Sequence, residues 1–261
     1  MKRLQNGGCQ QTGGVQEPNS CKDFGSAAPG PFDGAKFKWL SANVFETTTG
    51  KTLLPPYGIK TFNGVKGAFI GMTLQGTPGI VTPIGVAGLE FRDEAATVNA
   101  LVPRVRAQGI EAIVVLVHQG GSQASPNNSD INGCVKGLAN GDGSMPSAIA
   151  TVVAGLDNAV DLVTSGHTHA AYNCSKNTND NGVGVIRDGG LPNKSGRRVP
   201  VTSASAFGRI LTDVDVTIDS RRRATSSTSA RTMCWSPATT RSMRAIQRSL
   251  RPISTLLSTP T

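Results

Sequence analysis

The sequence predicts an α/β domain, and three observations predict it. Residues 57–62 and 65–74 read as a strand pair joined by Asn63-Gly64, a dipeptide suited to a two-residue hairpin turn. An amphipathic stretch at 93–108 leads into Ile110-Glu-Ala-Ile-Val-Val-Leu-Val117, apolar on both faces as a buried parallel strand is. A second helix at 146–155 leads into another short buried strand, Val160-Asp-Leu-Val-Thr164, so strand and helix alternate.

Taken in order, residues 1–36 are rich in Gly, Asn, Gln, Ser and Pro and read as a loop segment. Phe37 to Val44 reads as the first strand, and Trp39, Phe62, Phe69 and Phe91 as core aromatics. Gly67 interrupts the second hairpin strand and weakens it. In the helix at 93–108, Asp93 and Glu94 occupy the first turn, where the helix dipole favours anions. Ala95, Val98, Leu101, Val102 and Val105 form its apolar stripe, Pro103 is a potential kink, and Gly109 is a C-terminal cap. A Gly/Ser/Asn loop runs from Gln119 to about Gly143, and further strands are expected at 183–187, 198–204 and 209–218. From Arg221 the periodicity collapses, with at most a short helix at 241–250. The chain therefore divides into a loop-rich segment 1–36, a domain 37–219, and a basic tail 220–261 that is disordered or the product of a shifted reading frame.

The net charge of +9 is unevenly spread: eight Arg and no acidic residue follow Ser220, which leaves +1 for residues 1–220. A basic pI that belongs to the tail argues against a nucleic-acid-binding face on the body, and no specific nucleic-acid partner is expected. No apolar run approaches the roughly 20 residues of a membrane span. The polar stretch Met1 to Gln10 has no apolar centre and is not a signal peptide. The five cysteines match neither a zinc ribbon nor a redox Cys-x-x-Cys. Polar loops gain most from cross-links, which suggests Cys9–Cys21 and Cys134–Cys174 with Cys234 odd, although four cysteines allow three pairings.

The chemistry concentrates in three histidines, the full complement of the chain. His118 directly follows the strand 110–117; His167 and His169 lie in Ser165-Gly166-His167-Thr168-His169, directly after the strand 160–164. Ligands of open α/β sheets gather beyond the carboxyl ends of strands, and neighbouring parallel strands would bring all three imidazoles to one rim. In an extended segment, residues two apart point to one side. Neutral imidazole suits Zn, Mn, Fe or Ni. A lone surface histidine is usually just solvated; three at strand ends favour metal ligation. Asp130 and Asp142 in the loop after His118 stabilise turns more readily than they reach a metal. Asn43 reads as structural and Arg209 as solvated or paired.

These motifs carry a resemblance. Val117-His118-Gln119-Gly120-Gly121 resembles the Val-x-His-x-Gly segment of calcineurin-like metallophosphoesterases, and Ser165-Gly166-His167-Thr168-His169 resembles their Gly-His-Thr-His motif. Ser41 to Val44, Ile70-Gly71-Met72, Gly85 to Arg92, and Val201 to Arg209 stand in the order seen in bacterial 5′-nucleotidases. The resemblance covers roughly residues 1–219. It implies a partial metallophosphoesterase-type β-sandwich flanked by helices, a secreted or cell-envelope location, and metal-dependent hydrolysis of nucleoside monophosphates or related nucleotides. In the family, two metal ions clamp the phosphate and activate water. By resemblance, His118 and His167 bind one metal and His169 the other.

The sequence departs from the family in one respect. Family members supply Asp-x-His, Gly-Asp and Gly-Asn-His-Glu ahead of the region matched here, and this sequence contains neither Asp-x-His nor Asn-His-Glu. Met1 falls where those motifs would end, and the basic tail stands where the family's nucleotide-binding domain would begin, near residue 230. At most one divalent metal, Zn, Mn or similar, is therefore expected. The alternative to an enzyme is a catalytically incomplete fragment that binds one metal or none.

Overall fold

The computed structural model describes residues 2–9, 11–12, 15–17, 33–122, 131, 133–135, 147–175, 189–219 and 224–234. Its centre is a six-stranded mixed sheet, and the fold is mixed α/β. Strand β1 (Tyr57–Phe62) turns into β2 (Val65–Met72) through Asn63 and Gly64, whose φ values of 47° and 84° are the left-handed pair a type I′ turn requires. Helix α1 (Glu94–Arg106) carries the chain to β3 (Ala112–Val117), and α2 (Ala148–Gly155) precedes β4 (Leu162–Ser165). With β5 (Ala171–Cys174) and β6 (Val201–Ala204), the sheet order is β1-β2-β3-β4-β6-β5. The four inner strands are parallel, and the edge strands β1 and β5 are antiparallel to their neighbours.

Register matters most for the site. Met72 is opposite Val117, and Val117 is opposite Ser165. Three parallel strands thus end in line, and the residues that follow them share one rim.

The core lies between the sheet and the two helices. Val98, Val102 and Val105 of α1 and Ile149 and Val153 of α2 are buried with Ile70, Ile113, Val115, Val117 and Val163 of the sheet. The helices touch where Gly155 leaves no room for a side chain: a Cβ there would sit 2.8 Å from that of Ala95. Asn99 stitches the contact, donating to the Gly155 carbonyl and accepting from the Asp157 N–H, both at 2.8 Å. Asp93 caps α1 by accepting the Ala96 N–H at 2.7 Å. Asp93→Ala is expected to lower stability by about 1 kcal/mol, with Asp93→Asn close to wild type, read as shifts in the urea midpoint. Pro103 stays inside α1, which continues to Arg106.

Several expectations are corrected. Strand β3 is buried throughout on one face, while on the other burial falls from Ala112 through Val114 to Leu116, which is 37% exposed. The strand expected from Phe37 begins only at Val44, pairing Val44–Glu46 with Leu89–Phe91. Ahead of it, Ser41 donates its N–H to the Pro55 carbonyl in a loop and Ala42 to the Gly71 carbonyl in β2, and no strand ladder is assigned there. Asn43 is structural, as expected. Fully buried, it donates to the carbonyls of Thr73 (2.6 Å) and Arg92 (2.9 Å) and accepts the Thr73 N–H (2.8 Å). None of the four aromatics read as core is fully buried, and Phe62 is 44% exposed. The strand expected over 198–204 breaks at Pro200 into Arg198–Val199 and β6.

The tail also differs. Strand β7 (Ile210–Asp219) pairs antiparallel with β8 (Ala224–Cys234), so the first part of the segment read as disordered is a strand. The strand is rich in Ser and Thr and has no apolar period; Thr's β-branched backbone preference is the readable signal. Most of the 119–143 loop, the expected strand 183–187 and the expected helix 241–250 lie outside the described residues. Cys134 and Cys174 are disulfide-bonded, with 4.6 Å between their Cα atoms. Cys9 is also disulfide-bonded, while Cys21 lies outside the described residues. Among the described residues, no helix is long and apolar enough to cross a membrane.

Candidate functional site

The rim beyond β2, β3 and β4 carries the histidines. His118 follows β3 directly, and its N–H donates to the Met72 carbonyl at 3.0 Å, which fixes the backbone where the strand ends. His167 follows β4 in a tight turn: the Thr168 N–H donates to the Gly166 carbonyl at 2.9 Å, with His167 between them at φ 71°. A three-residue turn with positive φ at its centre is the strained sense, held only where the surroundings enforce it.

Those surroundings are visible. Thr168 Oγ1 donates to the Gly121 carbonyl at 2.8 Å, and the Gly166 N–H donates to the Gln119 carbonyl at 3.3 Å. Below the turn, the Ser165 hydroxyl bonds the Tyr172 hydroxyl and donates to the Thr202 carbonyl at 2.9 Å. Tyr172 is fully buried, and burial pushes its phenol above the usual range, so it stays protonated. Gly120 and Gly121 let the loop after β3 approach the turn after β4.

The result is a close pair of imidazoles. His118 Nε2 lies 3.3 Å from His167 Nδ1, and the rings meet edge to face with centroids 5.1 Å apart. His118 is held below the usual histidine range, first by burial, then by charge on His167 and on His169. It is therefore neutral at neutral pH, the form that ligates metals.

His169 behaves differently. It also has a left-handed φ, 58°, so the segment is not extended and the two-residue spacing does not aim both rings one way. Its ring meets Phe207 instead, centroids 5.7 Å apart. Among the described residues, no group of three or more His, Cys, Asp or Glu is arranged to hold a metal ion. Of the three histidines, the structure brings two together as a facing nitrogen pair. Asp130 and Asp142 lie outside the described residues.

The facing nitrogens lie within hydrogen-bond distance of each other at 3.3 Å. Two nitrogen ligands of a tetrahedral ion, with metal–nitrogen bonds of about 2.0–2.1 Å, stand about 3.4 Å apart, so the separation is compatible with a shared ion once both lone pairs turn toward it. Nothing in the sequence marks Thr168 as a tether or Phe207 as the neighbour of His169. The Gly120-Gly121 pair was the readable hint of a close backbone approach.

No family model matches the chain. It is 33% identical over 142 residues to the endonuclease YhcR of Bacillus subtilis, covering 54% of this chain and 10% of that protein. It is 34% identical over 140 residues to the cell wall protein Lmo0130 of Listeria monocytogenes, covering 52% and 17%. It is 33% identical over 87 residues to the 5′-nucleotidase of Vibrio cholerae, covering 33% and 16%. The chain thus spans between 10% and 17% of the length of these relatives.

Among solved structures, the 5′-nucleotidase precursor of Thermus thermophilus superposes with a TM-score of 0.54 at 21% identity, over 86% of this chain and 39% of that one. The calcineurin-like phosphoesterase YfkN of Bacillus subtilis gives 0.54 at 20% identity, over 77% and 57%. At these identities the superpositions speak for the fold, and the sequence matches carry the kinship. Over the part they share, the chain is similar to 5′-nucleotidases in sequence and has the fold of calcineurin-like phosphoesterases.

Proposed function

We propose that residues 37–219 form the imidazole-bearing part of a metal-dependent phosphoester hydrolase acting on nucleoside monophosphates. The observation that carries this reading is the 3.3 Å approach of His118 Nε2 to His167 Nδ1 at the ends of adjacent parallel strands. These two residues would hold one divalent ion, and His169, turned away toward Phe207, would serve elsewhere on the rim. When bound, such an ion supplies a Lewis acid for a phosphoryl oxygen and acidifies water. The chain's own residues do the positioning. The Thr168–Gly121 bond and the turn at Gly166 hold His167 against His118, and partial desolvation with the neighbouring imidazoles lowers the His118 pKa, which favours its neutral form. A location outside the cell is supported by the cell wall relative and by the Cys134–Cys174 disulfide, which persists in oxidising surroundings.

A second reading is a metal-binding chain without turnover, which the close pair of imidazole donors by itself also supports. One experiment tests both: metal content of the purified full chain and of His167→Ala, with AMP hydrolysis measured on each. The expected result is near-stoichiometric divalent metal in the wild type, more than tenfold weaker binding in the variant, and hydrolysis lost with it. Metal without hydrolysis selects the second reading, and a wild-type chain that takes up no metal overturns both.

A further inference from the structure

Tyr172 on β5 is the largest fully buried side chain among the described residues. A phenol hydroxyl shut away from water must find its partners within the protein. The direction of each bond around it follows from counting protons. The Ser165 hydroxyl has one proton and donates it to the Thr202 carbonyl at 2.9 Å, so Tyr172 is the donor to Ser165 Oγ. The Ser203 hydroxyl, beside the same phenol, gives its proton to the Ala170 carbonyl at 2.9 Å. The phenol oxygen is left to accept from the Gly121 N–H, which faces it.

The two ends of this chain of bonds lie next to the two facing imidazoles. Gly121 stands three residues after His118, and Ser165 two residues before His167. One buried hydroxyl thus joins the loop that carries one ring to the turn that carries the other. The Thr168 bond to the Gly121 carbonyl joins the same two segments, but Thr168 is exposed, whereas Tyr172 bonds where water does not compete. A hydrogen bond in a low local dielectric is stronger than the same bond in water. We propose that Tyr172 is a positioning residue whose hydroxyl, bonded between Gly121 and Ser165, sets the 3.3 Å approach of His118 Nε2 to His167 Nδ1. The proposal deepens the reading of these imidazoles as ligands of one divalent ion and rests on it for metal affinity alone; the positioning itself needs no metal.

The test compares Tyr172→Phe, Ser165→Ala and their double variant in the full chain. Tyr172→Phe keeps the ring in the core and removes only the oxygen. Two quantities are measured: Zn²⁺ affinity by calorimetric titration and, in metal-free protein, the NOE between the His118 and His167 imidazole protons. Each single variant is expected to weaken Zn²⁺ binding about tenfold, as loss of an outer-shell partner does, and to lose the NOE. The double variant should be no worse than either single one, because both break the same chain of bonds. Val153→Ala in α2 controls for stability alone: it opens a cavity in the core and should lower the urea midpoint while keeping both the NOE and the Zn²⁺ affinity. A Tyr172→Phe chain with an unchanged NOE and unchanged Zn²⁺ affinity overturns the proposal, and so does a wild type without the NOE. A wild type that takes up no Zn²⁺ but shows an NOE lost in Tyr172→Phe removes the ligand reading and leaves the positioning role standing.

Discussion

Replacing Cys134 and Cys174 together by Ala is expected to lower the unfolding free energy by about 4 kcal/mol, the chain-entropy value for a cross-link with a sequence separation of 40. The bridge ties the segment around residues 133–135 to the end of β5, an edge strand of the sheet. Backbone bonds accompany it. The Asn173 N–H donates to the Gly133 carbonyl at 3.0 Å, and the Val135 N–H points at the Cys174 sulfur at 3.4 Å. Without the bridge, those bonds must hold the segment against the entropy of a long loop, and the β5 edge loses its cover. The consequence reaches the site, because β5 also carries Tyr172, whose hydroxyl bonds Ser165 at the start of the His167 turn. Urea unfolding of the double variant should show this shift, and reduction of the wild type, which also opens the Cys9 bridge, should give one at least as large. A loss below about 1 kcal/mol would mean that the cross-link barely restricts the unfolded chain.

The sheet and its helices were legible because their signals are local. Asn63-Gly64 specifies its turn by backbone preference alone, and the stripe Val98, Val102, Val105 faces the core as its period says. Strand ends were legible too, which put His118 and His167 on one rim. What the sequence did not carry was the course of the backbone through 165–169. An extended reading aims His167 and His169 alike, whereas left-handed φ at both residues sends one ring to His118 and the other to Phe207. That geometry is imposed by contacts distant in sequence, Thr168 with Gly121 and Ser165 with Tyr172 and Thr202. The same holds for residues 37–43, which resemble a strand but whose Ser41, Ala42 and Asn43 make single bonds to Pro55, Gly71, Thr73 and Arg92 instead of a ladder. Strand β8 was missed for the opposite reason: its Ser- and Thr-rich sequence has no apolar period to read.

Gly120→Ala is expected to be the most damaging single change near the histidines. A Cβ at residue 120 would fall against the Gly166 carbonyl oxygen and 2.5 Å from Thr168 Oγ1. The first obstacle is backbone, so no rotamer change relieves it, and the cost should reach about 3 kcal/mol or more, the upper end of overpacking penalties. Relief requires the 166–168 turn to move away from the loop after β3, which is the same displacement that pulls His167 Nδ1 off His118 Nε2. Metal affinity should therefore fall more than tenfold along with stability, since a shift of 1 Å in one donor spoils the chelating spacing. Gly79→Ala is the matched control, because a Cβ there meets no atom within 4 Å; it should leave both stability and metal uptake unchanged. If Gly120→Ala unfolds at the wild-type urea midpoint and still binds metal, the loop and turn do not pack as tightly as the histidine pair requires. The pair would then be a consequence of strand register alone, with no enforced contact between the two loops.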